Sequence, residues 1–270
     1  LDLRVADDSS QTTIVVNDQK TYQSVLGMGT SIEESTIYNL LKMTDENRQA
    51  FLRRLLDPVN GMGMSLMRVT VGTSDFTAQD FYTYYDGTGK ELDGKPDWNN
   101  VTGKGFSIQK DKDLGIIKVI NEMQAIAKEL GVEDNLKFFA SSWTPPGWMK
   151  LPTSSSNSYE DNELLLKGGK LNDDYIDDLA KYMVRYVEEY QKCGIPIYAM
   201  TIQNEPLLEI NYPSCAMTGT QEAKIAKAIK AELAKSTVLK DNEKEVKLWA
   251  FDHNFDGADK FMADFFKEAG

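Results

Sequence analysis

The sequence predicts an α/β fold in which parallel strands wind into a (β/α)8 TIM barrel, and three observations carry that expectation. Strand-like and helix-like segments alternate from residue 25 onward, the pattern of parallel strands joined by helical crossovers. No G-x-G-x-x-G follows the first strand: Gly27-Met28-Gly29 lacks a third glycine at the right place, which weakens the alternative of a doubly wound dinucleotide sheet. Five strand segments in succession end in polar or aromatic residues: Ser31 and Glu33, Thr73-Ser74-Asp75, Ser142-Trp143, Asn204-Glu205 and Asp252-His253-Asn254. A barrel concentrates chemistry at the C-terminal ends of its strands, and these groups would then face one cavity.

Taken in order, residues 11–25 are β-branched and broken at Asn17-Asp18, and read as a hairpin or two strands. The first barrel strand is expected near Val25–Gly29. Helical segments follow at Glu33–Met43 and Asn47–Leu56, with Thr44 as a cap between them. Ser65–Val71 is the second strand. Leu114–Leu130 is a helix in which Ile116, Ile120, Met123 and Ala127 recur at helical spacing until Gly131 stops it. Leu136–Ser141 is the third strand. Asp173–Cys193 is a helix capped by Asn172, with Ile176, Leu179, Met183, Tyr186, Val187 and Tyr190 on one face. Tyr198–Gln203 is the fourth strand, a helix spans about Thr220 to Ala234, and Val246–Phe251 is the fifth strand.

Composition narrows the function. A hydrophobic fraction of 41% and a charged fraction of 27% are those of an ordinary globular protein. The formal net charge of -12 argues against a nucleic-acid partner, and no apolar run is long enough for a transmembrane span. Two cysteines, Cys193 and Cys215, cannot make a disulfide framework. One histidine argues against a His-rich metal site; no ligand cluster has metal spacing, and no cofactor is expected. The chain opens Leu-Asp-Leu, which reads as processed or cut from something longer.

Several residues could carry chemistry. Glu205 closes an apolar strand that Pro206 cannot continue, so its carboxyl meets the loop layer. Among apolar and aromatic neighbours its charged form is disfavoured, which suits a general acid; a solvated strand-end glutamate is the plainer alternative. Asn204 offers a donor and an acceptor to a substrate hydroxyl. Trp143 and Trp148 flank Pro145-Pro146 and either stack on sugar rings or fill the top of the barrel. Arg68 lies inside an apolar strand and needs a carboxylate partner, either Asp75 at the strand mouth or one from another strand. For Asp75 the alternative is a cap on the Thr73–Thr77 turn, and for His253 a structural hydrogen-bonded role.

Together these stretches resemble glycoside hydrolase family 30, the glucosylceramidase-like retaining enzymes with a (β/α)8 barrel and a side β-sandwich. The resemblance rests on four ordered motifs, GMGTSIEEST (27–36), MRVTVGTSDF (67–76), ASSWTPPGWMK (140–150) and TIQNEP (201–206). It implies that Glu205 is the acid/base, that Asn204 binds the hydroxyl next to the anomeric carbon, that Asp75, Phe76 and Trp143 line the subsite for the non-reducing sugar, and that Arg68 supports the nucleophile. The family's nucleophile is a Glu at the end of the seventh strand, whereas this chain reaches only a fifth. Five units over residues 25–270 average about 49 residues, against roughly 31 in a compact barrel. The expectation is therefore residues 1–24 as strands of a side sandwich, residues 25–270 as the N-terminal part of a catalytic barrel, and an inactive piece that requires the C-terminal remainder. A β-glucosidic bond in a carbohydrate or glycolipid is the expected substrate, and a secreted or periplasmic location fits better than a cytoplasmic one. The competing readings are a non-hydrolytic carbohydrate-binding protein, a barrel lyase using Asp252 or His253, and Asp252 or Asp75 as the second carboxylate.

Overall fold

A computed structural model describes residues 15–87 and 93–270. Five parallel strands form one sheet: β1 (Gly29–Ser31), β2 (Leu66–Val71), β3 (Lys137–Ser142), β4 (Ile197–Thr201) and β5 (Lys247–Trp249). Their spatial order is their chain order, each pairing only with its sequence neighbours. A doubly wound sheet reverses direction at a switch point. This one never does, so the winding is that of a barrel wall.

The pleat assigns the two faces. Met67, Val69, Phe138, Ala140 and Met200 are buried in the core. Against them pack helices α3 (Ile116–Leu130) and α4 (Ile176–Lys192), which present Ile120, Met123, Ala127, Leu179, Met183, Tyr186 and Tyr190. The opposite face carries Arg68, Thr70, Phe139, Ser141, Thr201 and Trp249. There Ser141 and Thr201 share a 2.6 Å hydrogen bond, and the Phe139 and Trp249 rings lie 5.0 Å apart.

The helix ends follow from local chemistry. In α2 (Asp45–Leu56) the Thr44 hydroxyl accepts from the Asn47 amide, and Gly131 ends α3 in the left-handed conformation, its N–H returning to Ala127 and Lys128. Asn172 caps a 3-10 turn at Asp173–Tyr175 that leads into α4, and Thr218 caps α5 (Gly219–Lys235) through a capping box with Gln221. Helices α1 (Glu34–Leu41) and α6 (Ala258–Ala269) complete the main set.

Two expectations are corrected, and one element was unforeseen. Residues 15–25 form no strand: Asn17 does turn the chain, but Val15, Val16, Tyr22 and Val25 are exposed, and no partner strand meets them among the described residues. The rest of the expected hairpin lies outside the described residues. The first barrel strand is Gly29–Ser31, later than the apolar run suggested, because pairing depends on close approach to β2. A Cβ on Gly29 would sit 1.4 Å from the Leu66 carbonyl oxygen, so only glycine fits. A two-stranded antiparallel ribbon, Lys150–Leu151 with Lys170–Leu171, was not expected at all.

Candidate active site

At the C-terminal ends of the strands lies a cavity of about 610 Å³, lined among others by Ser31, Glu33, Arg68, Asp75, Phe76, Trp143, Asn204, Glu205, Tyr212, Asp252 and His253. The six residues to which the family resemblance gives a role, Arg68, Asp75, Phe76, Trp143, Asn204 and Glu205, line it together.

Glu205 is held by an unusual backbone. Its φ is +49°, in the left-handed region that non-glycine residues rarely enter. Two contacts impose it: the Asn204 amide donates to the Ser142 carbonyl at 2.6 Å, and the Glu205 amide donates to the Asp252 carbonyl at 2.8 Å. The ladder thus continues on both sides of β4 as its geometry breaks, and Pro206 prevents further pairing. The half-buried carboxyl remains on the cavity wall. Buried Gln203 ties the same corner to the next loop, its Nε2 donating to the Trp143 carbonyl at 2.6 Å.

On the β5 side the turn is equally constrained. Phe251 has φ +55°, and its amide donates to a carboxyl oxygen of Glu222 on α5 at 3.1 Å. Glu222 is fully buried, and its other oxygen has no hydrogen-bond partner among the described residues. Burial, offset by the Phe251 amide and reinforced by nearby Asp252, pushes its carboxyl up to about 8. Asp252 itself accepts from Ser141 at 2.8 Å.

Arg68 finds its carboxylate on a neighbouring element, not at Asp75. Nη2 donates to Glu33 at 3.0 Å and Nε to Ser31 at 2.6 Å, while the guanidinium lies 4.7 Å from the Trp143 ring centroid. The second Glu33 oxygen accepts from Ser74 at 2.5 Å. Trp143, 4% exposed, donates from its indole to Asp75 at 3.1 Å, which fixes that exposed carboxylate at the rim. Asp75 does not cap its own turn; Ser74 does, accepting from the Phe76 amide at 3.0 Å. Phe76 stands 67% exposed beside it. The cavity therefore combines an aromatic wall, fixed carboxylates and one guanidinium, suited to a neutral polyhydroxylated ligand with apolar ring faces.

Trp148 is not in the cavity. It packs against Tyr85, Trp98 and Tyr175 and donates to the Tyr85 carbonyl at 3.1 Å, so of its two readings the structural one holds. Sequence reasoning missed Tyr212. Its phenol is raised by burial and then by the carboxylates of Glu205 and Asp75, but its loop carries no pattern that would have marked it. Also missed was Lys150, whose buried ammonium donates to Thr144, Leu166 and Ser214 and so joins three loops around the site. Among the described residues no group of three His, Cys, Asp or Glu could hold a metal ion.

Comparison with known proteins places this geometry. The model of the glycosyl hydrolase family 30 TIM-barrel domain matches residues 25–265. Endo-1,6-beta-D-glucanase neg1 of Aspergillus fumigatus is 29% identical over 239 residues, covering 87% of this chain and 45% of that protein. Lysosomal acid glucosylceramidase of Mus musculus is 26% identical over 77% of this chain and 36% of its own length. Among solved structures, the endo-beta1,6-glucanase BT3312 superposes with a TM-score of 0.73 at 29% identity, over 94% of this chain and 51% of that one. The chain spans about half the length of the relatives it matches.

Proposed function

Since the chain belongs to glycosyl hydrolase family 30, as its TIM-barrel domain, we propose that it forms the acid/base half of a retaining β-glycosidase site. Glu205 protonates the leaving oxygen and later deprotonates water; Asn204 holds a hydroxyl of the sugar being cleaved. Trp143 and Phe76 meet its apolar faces, Asp75 its outer hydroxyls, and Arg68 gives the site its positive charge. The observation that carries this reading is the convergence of these six residues, from three neighbouring strands and the loops that follow them, on one cavity. A β-glucosidic bond is the proposed target. The similarity to endo-1,6-β-glucanases favours a β-1,6-glucan over glucosylceramide. A polymer of that kind favours work outside the cytoplasm.

Retention needs a second carboxyl about 5–5.5 Å from the first. We place it outside these 270 residues. In support, Glu33 has both oxygens occupied by Arg68 and Ser74, and each of Asp75 and Asp252 is held by a protein donor. An activated 2-deoxy-2-fluoro-β-glucoside traps the nucleophile as a covalent ester that mass spectrometry locates. This chain should yield no adduct, and a protein carrying the remaining barrel units should be labelled on a glutamate beyond residue 270. An adduct on Asp75, Asp252 or any residue of this chain would refute the assignment. In the longer protein, Glu205→Gln should slow hydrolysis of β-1,6-glucan by about 10²–10⁴-fold. Glycosyl transfer from an activated aryl glucoside, which needs no acid, should survive.

A further inference from the structure

The loop after β5 carries the chain's one histidine, His253, in a specific setting. Its amide donates to the Phe251 carbonyl at 2.8 Å, closing a tight turn around Asp252. The Asn254 amide donates to His253 Nδ1 at 2.7 Å. A ring nitrogen that accepts a hydrogen bond carries no proton, so the neutral imidazole is the Nε2–H tautomer. The Phe251 ring lies 5.8 Å away at an interplanar angle of 26°, which fixes the plane of the imidazole. Among the described residues nothing accepts from Nε2, and the residue lines the cavity.

Strand order gives this donor a direction. The loops after β2, β3, β4 and β5 carry Asp75 with Phe76, Trp143, Glu205 and His253 respectively, and those strands are neighbours in that sequence. Glu205 therefore stands between the Asp75–Trp143 wall and His253. With the sugar to be cleaved on that wall, the group that departs lies beyond Glu205, beside the β5 loop. We propose that His253 is a specificity-determining residue for the leaving group, its Nε2–H donating to a hydroxyl oxygen of the sugar on that side. The inference rests on the glycosidase reading of the cavity.

The test uses the full 270-residue chain with ring-15N histidine, whose single imidazole makes assignment unambiguous. Long-range 1H–15N correlation should show a protonated Nε2 and a bare Nδ1. Calorimetry then compares a β-1,6-linked glucose disaccharide with methyl β-D-glucoside, which lacks a leaving-group sugar. His253→Phe keeps a ring against Phe251 and removes the donor. It should weaken the disaccharide by about five- to tenfold, the worth of one neutral hydrogen bond, and leave the glucoside within about twofold. His253→Gln, whose Nε2–H reaches a similar position, should retain affinity for both. An Nδ1–H tautomer overturns the inference, as do imidazole signals unmoved by saturating disaccharide, a reading that does not depend on any variant folding. His253→Phe weakening neither sugar, or both alike, overturns it while leaving the glycosidase reading intact. Binding of neither sugar by the wild-type chain overturns both.

Discussion

Changing Glu222 should alter how stability depends on pH. In the unfolded chain its carboxyl titrates near 4.5; in the fold, burial pushes it up to about 8. Between those values the native state keeps a proton that the unfolded state has lost, so stability falls as pH rises. The contribution is complete below about 4.5, declines through the window, and is gone above about 8. Each pH unit inside the window removes at most about 1.4 kcal/mol, so moving from pH 5 to pH 8 removes up to about 4 kcal/mol. The local geometry explains why the proton is retained. One carboxyl oxygen accepts from the Phe251 amide, the other has no partner among the described residues, and an unpartnered buried oxyanion is costlier than an unpartnered hydroxyl. Asp111 acts in the same sense at lower pH: it is pushed up to about 6 by burial, although the hydroxyls of Tyr82, Tyr84 and Tyr190 hold it. Lys150, pushed down to about 8 by burial, acts in the opposite sense and only above that pH, outside the window tested. Glu222→Gln keeps an acceptor for Phe251 and removes the titration. Urea midpoints measured at pH 5, 6, 7 and 8 should fall for the wild-type chain, with the fall from 6 to 8 largely abolished in Glu222→Gln. Asp111→Asn should flatten only the decline below pH 6. A wild-type midpoint that holds or rises from pH 6 to 8, or an equal fall in Glu222→Gln, would refute the reasoning.

Other consequences are open to direct measurement. Arg68→Met strands buried Glu33 without its cation; because the guanidinium side chain is 28% exposed, the expected loss is about 2 kcal/mol, below the fully buried range. Adding Glu33→Gln should recover most of it, and strictly additive losses in that double-mutant cycle would contradict the pairing. Lys150→Met leaves the Ser214 carbonyl without its ammonium donor and the Leu166 carbonyl with the Ser214 amide alone, so hydrogen exchange should accelerate first in residues 164–169 and 210–217; unchanged protection there would show that the lysine does not join those loops. Both cysteines are free, and burial pushes the Cys215 thiol up to about 11. A thiol reagent should therefore titrate about one group in the native chain, the partly exposed Cys193, and two in denaturant.

What the sequence made legible was whatever short-range chemistry decides. Three of the strand segments were expected within a residue or so of where β2, β3 and β4 lie, because their apolar runs are buried between helices and cavity. The stops at Gly131 and the caps at Thr44 and Asn172 are local devices that need no tertiary knowledge. β1 was misplaced because its pairing depends on Gly29 meeting the Leu66 carbonyl, a contact between segments 37 residues apart. The ribbon at Lys150–Leu151 is two residues per strand and exists only through its distant partner. Of the site, the residues at strand ends could be found by position, since the strands fix where they point. Tyr212 could not, because it reaches the cavity on a loop whose path follows from Lys150 holding the Ser214 carbonyl. Arg68 was legible as an ion-pair member, while the choice of Glu33 over Asp75 depended on which loop folded inward.

The cage around Asp111 gives the molecule a built-in optical signal. Tyr82, Tyr84, Tyr182, Tyr186 and Tyr190 are all buried, and each phenol is raised well above its ordinary value, chiefly by burial. In strongly alkaline solution these five rings should stay dark in the phenolate band near 295 nm until the chain opens, then colour together. Absorbance alone would then time the opening of the packing behind the sheet, without any label.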